Sequence, residues 1–381
     1  MRIAVVDETG PAERRVALVP ESVRVLVAAG HEVHVQRGAG RLAWFTDDSY
    51  TDAGATVGER ADVLAGAALV ARVTPPSLDD VGEMAEGTAT LGLLPPYGRA
   101  DLLTALAAGR IDAYSLDLLP RTSRAQAMDA LSSQATVSGY RGVLLAAEYL
   151  PNFFPLMMTA AGTVKPARVM VLGAGVAGLQ AIATARRLGA VVEANDVRTA
   201  AREEVQSLGA TFVALEQEED ADGAGGYARA QSEDFLTRQR ALIAEHVATS
   251  DVVVTTAAVP GRRAPLLLTE EVVRRMRPGS VVVDLAADGG GNCAVTQPGE
   301  TIDVGGVAVI GSRNPPSGMP TAASTLFSRN LVAMLKLLAP DGDLAPNDAD
   351  DLIVGTRLTH DGQVVHPVAL AETQPAPKEP Q

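Results

Sequence analysis

A single cysteine, Cys293, stands in the 381-residue sequence, which excludes an intramolecular disulfide framework and suits a reducing cytoplasm. Cys293 is expected to pack in a core rather than to react. Histidine is almost as scarce: there are five, and none falls between His34 and His246, so that stretch offers no imidazole for acid–base work. There is no dense basic cluster, and 46 acidic against 32 basic residues give a net charge of −14, which argues against nucleic acid or an anionic bilayer surface as a direct partner. Long apolar runs are missing too. The longest uncharged stretches, Tyr149 to Val164 and Val169 to Ala185, fall short of the roughly 18 to 20 residues of a membrane span and are broken by Pro, Asn, Gln or Gly. No direct membrane insertion is expected, no His/Cys pattern predicts a metal site, and Met1 to Asp7 begins as a strand without the features of a secretion signal.

What is present is apolar content of 47%, enough at this length for about two domain cores. The most informative segment is Val169-Met-Val-Leu-Gly-Ala-Gly-Val-Ala-Gly178, followed by apolar residues at helical spacing from Leu179 to Leu188 and a second strand, Ala190 to Ala194, that ends at Asp196. Gly173 allows the tight strand-to-helix turn, Gly175 removes a Cβ that would block a pyrophosphate, and Gly178 lets the helix lie close to the sheet. The helix N-terminus faces the phosphate charge. Ala174, Val176 and Ala177 complete the turn, and Val197 and Arg198 flank the acid. An acidic side chain roughly 20 residues past the glycines accepts hydrogen bonds from ribose hydroxyls and repels a 2′-phosphate, so the segment predicts NAD(H) rather than NADP(H); Arg198 is the one neighbour that argues the other way.

Along the chain, short apolar runs (Ile3–Val6, Glu32–Val35, Leu69–Val73, Thr90–Leu94, Ala113–Leu118) alternate with helical stretches such as Pro20–Ala29 and Ala100–Ala108. A helix over Leu131–Leu150 leads into the nucleotide unit. Further strands are expected at Thr211–Leu215, Asp251–Thr255, Ser280–Asp284 and Val307–Ile310, and Ala322–Leu338 is a returning helix. The predicted fold is α/β, with two Rossmann-like domains, doubly wound parallel sheets and a cleft between them. Residues 1–135 plus 322–381 would form a discontinuous first domain with a disordered tail from about 372, and 136–321 the nucleotide-binding domain. The acidic, Gly-rich segment Glu216 to Arg229 reads as a surface loop; Tyr227 beside Gly225-Gly226 is what a lid over a flat ligand would need. Ser123-x-x-Gln126 fits a helix capping box, and Gln126, Asp129 and Ser132 at three-residue spacing fit a solvated helix face.

Beyond the fingerprint, Phe154-Pro-Leu-Met-Met-Thr-Ala-Ala-Gly-Thr-Val, Pro120-Arg-Thr-Ser-Arg-Ala-Gln-Ala-Met-Asp-Ala-Leu-Ser-Ser-Gln-Ala, Gly225-Gly-Tyr-Ala, Thr255-Thr-Ala-Ala-Val-Pro-Gly, Asp284-Leu-Ala-Ala, Gly290-Gly-Asn-Cys and Asp361-Gly-Gln-Val-Val-His-Pro together resemble the NAD(H)-binding component of proton-translocating NAD(P) transhydrogenases, in their split form, over essentially the whole chain to about Ala369. The resemblance implies an enzyme active only with partner subunits: a homodimer that docks on membrane-embedded subunits carrying an NADP(H)-binding domain, and so is cytoplasmic and peripheral to the inner membrane. Hydride would pass directly between the two nicotinamides, and proton translocation would belong to the membrane subunits. It further implies that Asp129 and Ser132 hold the nicotinamide carboxamide, that Arg121 and Gln126 reach toward NADP(H), that Tyr227 belongs to the same catalytic set, and that Thr256 and Ala257 join the cofactor contacts. Direct transfer moves no proton between the rings, so such a site needs orienting hydrogen bonds and no general base.

Alanine dehydrogenases resemble the chain in fold and in Glu13-Arg-Arg-Val-Ala-Leu-x-Pro20. That family uses a lysine and a histidine to bind and protonate its oxo acid. Here Arg72-Val-Thr74-Pro stands where the lysine would fall, and no histidine lies between His34 and His246, leaving Arg15 as a fold residue or ion-pair partner. An NAD-dependent amino-acid oxidoreductase and a non-catalytic NAD(H) sensor are the alternatives. Asn195, Asp288-Gly-Gly-Gly and Arg313-Asn-Pro-Pro-Ser-Gly-Met-Pro depart from the usual transhydrogenase pattern.

Overall fold

The computed structural model describes residues 1–198, 200–215 and 233–373. Two compact units share the chain: Met1–Gln134 together with the chain from Met319 onward, and Ala135–Gly318. The first begins with six strands, β1 (Arg2–Val5), β2 (Glu32–Gln36), β3 (Thr56–Gly58), β4 (Leu69–Ala71), β5 (Ala89–Gly92) and β6 (Asp112–Ser115). The helix Ala130–Tyr149 then carries the chain into nine strands: β7 (Met157–Thr159), β8 (Gly162–Val164), β9 (Arg168–Leu172), β10 (Val191–Asn195), β11 (Thr211–Phe212), β12 (Val252–Thr255), β13 (Val281–Asp284), β14 (Thr301–Val304) and β15 (Val307–Gly311). After the helix Pro320–Leu338, β16 (Arg357–His360) and β17 (Gln363–Val364) complete the first sheet.

That sheet has the order β17-β16-β6-β5-β4-β1-β2-β3, and the second β11-β10-β9-β12-β13-β15-β14. Neither is wholly parallel. β16 and β17 run antiparallel at one edge of the first sheet, and β14 runs antiparallel to β15 at an edge of the second. The β14–β15 and β16–β17 hairpins close through Gly305-Gly306 and Asp361-Gly362, all at positive φ, the backbone a two-residue hairpin turn demands, whereas β16 meets β6 antiparallel after a long excursion of the chain. Between the edges both sheets are parallel and doubly wound.

The central strands are apolar through most of their length because both faces are covered. In β1, Ile3 and Val5 enter one core while Ala4 enters another. In β9, Val169 and Val171 face the core that includes Ala181 and Ile182 of the helix Val176–Arg187, while Met170 and Leu172 face Ile243 and Val247. Each fully enclosed Val or Leu contributes about 1.5 to 3 kcal/mol. Cys293 is buried, and burial pushes its thiol up, as suits a packing residue.

Candidate nucleotide site and hydride-transfer loop

In the second unit the sheet changes winding direction between β9 and β12, where open α/β sheets bind ligands at the carboxyl ends of the strands. Each fingerprint glycine meets a different surrounding there. Gly173 has φ +98°, and a Cβ on it would lie 2.6 Å from Thr256 Oγ1. On Gly178 a Cβ would lie 1.8 Å from the Gly173 carbonyl oxygen, so only glycine lets this helix approach its strand. A Cβ on Gly175 would meet nothing within 4 Å among the described residues. The space that Gly175 leaves is therefore available to a ligand rather than needed for packing.

The helix Val176–Arg187 starts at Gly175 with no side-chain cap and no acid in its first turn, and it ends on Arg186 and Arg187. Its positive end stays available to an anion, while its negative end is balanced by cations. Val176 is exposed at this mouth, Ala174 is buried and Ala177 half-buried. The Thr256 hydroxyl donates to the Gly173 carbonyl (3.0 Å), tying the loop after β12 to the glycine turn.

Asp196 follows β10 as expected, with its side chain 8% exposed. Oδ2 accepts from Ala174 N at 2.7 Å; Oδ1 accepts from Arg198 N at 2.8 Å and Arg198 Nε at 3.0 Å. The carboxylate is held at the glycine turn, with Arg198 as an ion-pair partner. Val197, half-buried, lies between them. Asn195 donates to the Val213 carbonyl at 2.7 Å and so fastens β10 to the next strand.

Motif spacing did not reveal the role of Asp284. Fully buried at the end of β13, it accepts from Thr255 Oγ1 (2.9 Å), Ala286 N (3.0 Å), Asn292 N (2.7 Å), Cys293 N (3.0 Å) and Thr296 Oγ1 (2.7 Å). Asn292 Nδ2 in turn donates to the carbonyls of Ala257 and Pro265, both at 2.8 Å. This knot holds the Thr256-Ala257 backbone from behind, a physical reason for the Asp284 and Asn292 motifs. The two departing loops are bonded to each other: Asn314 N donates to Asp288 Oδ2 at 2.7 Å.

In the first unit, Arg121 and Gln126 occupy exposed positions of a loop whose Ser123–Met128 stretch is a 3₁₀ helix. The capping box does not form: Thr122 is the N-cap and makes no side-chain cap bond. The cap lies one element later, where Asp129 Oδ1 accepts from Ser132 N at 2.8 Å at the start of the helix Ala130–Tyr149. The Ser132 hydroxyl donates to Asp129 Oδ2 at 2.5 Å. Asp129 and Ser132 are thus brought together, half-buried. Asn330, on the helix Pro320–Leu338, fixes the loop by donating to the Ala127 carbonyl (2.9 Å) and accepting from Ser133 Oγ (2.7 Å). Tyr227, with Gly225 and Gly226, lies outside the described residues.

Arg15 is neutralised. Its guanidinium donates to both oxygens of Glu13, at 2.9 and 2.6 Å, and to Gln134 Oε1 at 2.9 Å, with the Arg15 and Glu13 side chains 6% and 9% exposed. Among the described residues no group of three or more His, Cys, Asp or Glu could hold a metal ion, and no helix is long and apolar enough to cross a membrane.

A doubly wound sheet with an open glycine turn and a carboxylate at the end of the second strand defines a dinucleotide-binding protein of the Rossmann class. Residues 4–138 match the model of the alanine dehydrogenase/PNT N-terminal domain, and residues 142–367 that of the C-terminal domain; the chain belongs to the alanine dehydrogenase/PNT family. It is 45% identical over 385 residues to the first of the chains that make up the NAD(P) transhydrogenase alpha subunit of Rhodospirillum rubrum, covering 98% of this chain and 100% of that one. The transhydrogenase crystal structure from Sinorhizobium meliloti superposes with a TM-score of 0.88 at 43% identity, covering 96% of this chain and 100% of that one. An L-alanine dehydrogenase structure gives 0.80 at 27% identity, covering 98% and 99%.

Proposed function

We propose that the chain is the NAD(H)-binding catalytic component of a proton-translocating NAD(P)+ transhydrogenase. In this reading a hydride passes between the nicotinamide of NAD(H) held by the second unit and that of NADP(H) held by a partner subunit, one ring being oxidised as the other is reduced. The chain would act as a homodimer on the cytoplasmic face of the inner membrane, bound there through membrane-embedded subunits that carry out proton translocation. The observation that carries the reading is the pairing of an intact dinucleotide cradle with the loss of oxo-acid machinery. Gly175 opens onto free space beside an uncapped helix N-terminus, and Asp196 is positioned to accept from a ribose diol. Arg15 is bonded to both oxygens of Glu13, and in the stretch Arg72-Val-Thr74-Pro, where the lysine would fall, Thr74 is bonded to Glu8. No side chain placed at either point could bind and protonate an oxo acid.

The residues of the first-unit loop then orient rather than exchange protons. The Ser132 hydroxyl donates to Asp129, and in this reading the pair orients the carboxamide, while Arg121 and Gln126 would face the partner's nucleotide. Mixing the chain with a heterologous NADP(H)-binding transhydrogenase domain and following reduction of an NAD analogue by NADPH tests the proposal. Transfer is expected only in the mixture, and alanine with NAD should give no turnover. Alanine oxidation at about 1 s⁻¹ or faster would return the chain to the dehydrogenases; nucleotide binding without transfer in any mixture would leave a sensor.

A further inference from the structure

The first sheet has a switch point of its own, between β1 and β4, and its carboxyl-end crevice is filled by a side chain of the protein. Glu8, three residues past β1, crosses to the backbone that follows β4. Its Oε2 accepts from Val73 N at 2.7 Å, and its Oε1 accepts from Thr74 N at 2.9 Å and Thr74 Oγ1 at 2.7 Å. Arg72 Nε lies 3.6 Å from Oε1, with the Glu8 and Arg72 side chains 1% and 5% exposed. Arg72 is itself shared, donating through Nη2 to Asp80 Oδ2 at 2.9 Å, and Asp80 also pairs with Arg60. Arg72 Nη1 is buried with no partner among the described residues.

Two convergent backbone N–H groups, a hydroxyl and a guanidinium form a complete receptor for a carboxylate at the place where this fold class binds ligands. The second unit differs at the equivalent place. There the loop after β12 bonds back to the glycine turn through Thr256, and among the described residues no atom lies within 4 Å of where a Cβ on Gly175 would stand. We propose that the first unit retains a carboxylate-binding site that Glu8 occupies from within, as a covalently attached stand-in for a small aliphatic monocarboxylate. The occupant closes this crevice to any outside anion, nucleotide phosphate included. Burial holds the Glu8 carboxyl above its usual range, while Arg72 and the three donors oppose that shift.

Removing the Glu8 side chain beyond Cβ deletes two carbons and two oxygens, the heavy atoms of acetate. The full-length Glu8→Ala variant should therefore melt at a lower temperature than wild type. Sodium acetate should restore it saturably, at roughly millimolar to tens of millimolar concentration, where equimolar chloride does not. Wild type should show no acetate-specific shift. Adding Thr74→Val removes one donor and should weaken the acetate midpoint about five- to tenfold. If Glu8→Ala does not fold alone, its refolding yield in acetate against chloride reads the same property. Equal responses to the two salts, in melting or in refolding, overturn the proposal, as does an acetate effect of the same size in wild type.

Discussion

Asp117 shows how a single enclosed carboxyl couples this protein to pH. It lies just past β6, and burial pushes it up to about 6, with the Leu94 N–H and the Ser115 hydroxyl only partly opposing the shift. The folded-state value lies above the roughly 3.9 of an unfolded chain, so its contribution is fully present below that value and is lost as pH rises through about 6. At most about 3 kcal/mol is involved. Asp117→Asn has the same shape without the charge, so its stability relative to wild type should improve between pH 4 and 7.5. Urea unfolding at the two pH values measures this, and parallel changes in the two proteins would remove Asp117 as the titrating group. Residue-scale economy is visible elsewhere as well. Asp288 and Asn314, from the two segments that depart from the transhydrogenase pattern, bond to each other, so the departures form one local arrangement rather than two independent losses.

At the scale of elements, the glycine turn separates packing from binding, and two substitutions should pull them apart. Gly178→Ala puts a Cβ against the Gly173 carbonyl and must push the helix off its strand, costing about 1 to 3 kcal/mol or more and misaligning the N–H groups that face the phosphates. Gly175→Ala meets nothing among the described residues and has φ −73°, so stability should change by less than about 0.5 kcal/mol while NADH binding falls. Thermal melts paired with NADH fluorescence titrations decide it; equal stability losses would mean that Gly175 also serves packing. These elements were legible in the sequence because buried parallel strands are unbroken apolar runs and the turn has fixed glycine offsets. The antiparallel edges were less so: β14, β16 and β17 are strands of two to four residues, β14 and β17 largely exposed, whose signal is the Gly-Gly or Asp-Gly turn rather than apolar periodicity. The Glu8 occupant and the Thr255–Asp284 bond join residues brought together only by the sheets, which no local spacing encodes.

For the whole molecule, the proposed function divides labour between a unit that holds NAD(H) and a loop that orients transfer, and Gln126 is the residue that tests the division. It is exposed on the 3₁₀ stretch Ser123–Met128, and the capping role that its spacing suggested is absent. Neighbouring Asp129, by contrast, caps a 20-residue helix, so its removal would mix a stability loss of about 1 kcal/mol with any catalytic effect. Gln126→Ala should therefore leave the melting temperature and NADH affinity near wild type. In the mixture with an NADP(H)-binding domain it should slow single-turnover hydride transfer by up to about 100-fold, because a lost orienting contact acts on the transition state and not on ground-state binding of NADH. Raising NADH concentration should not rescue the rate, since binding is not what was lost. Weakened NADH binding with an unchanged transfer rate at saturation would instead place Gln126 among the NAD(H) contacts, and the loop would lose its proposed role toward the partner's nucleotide.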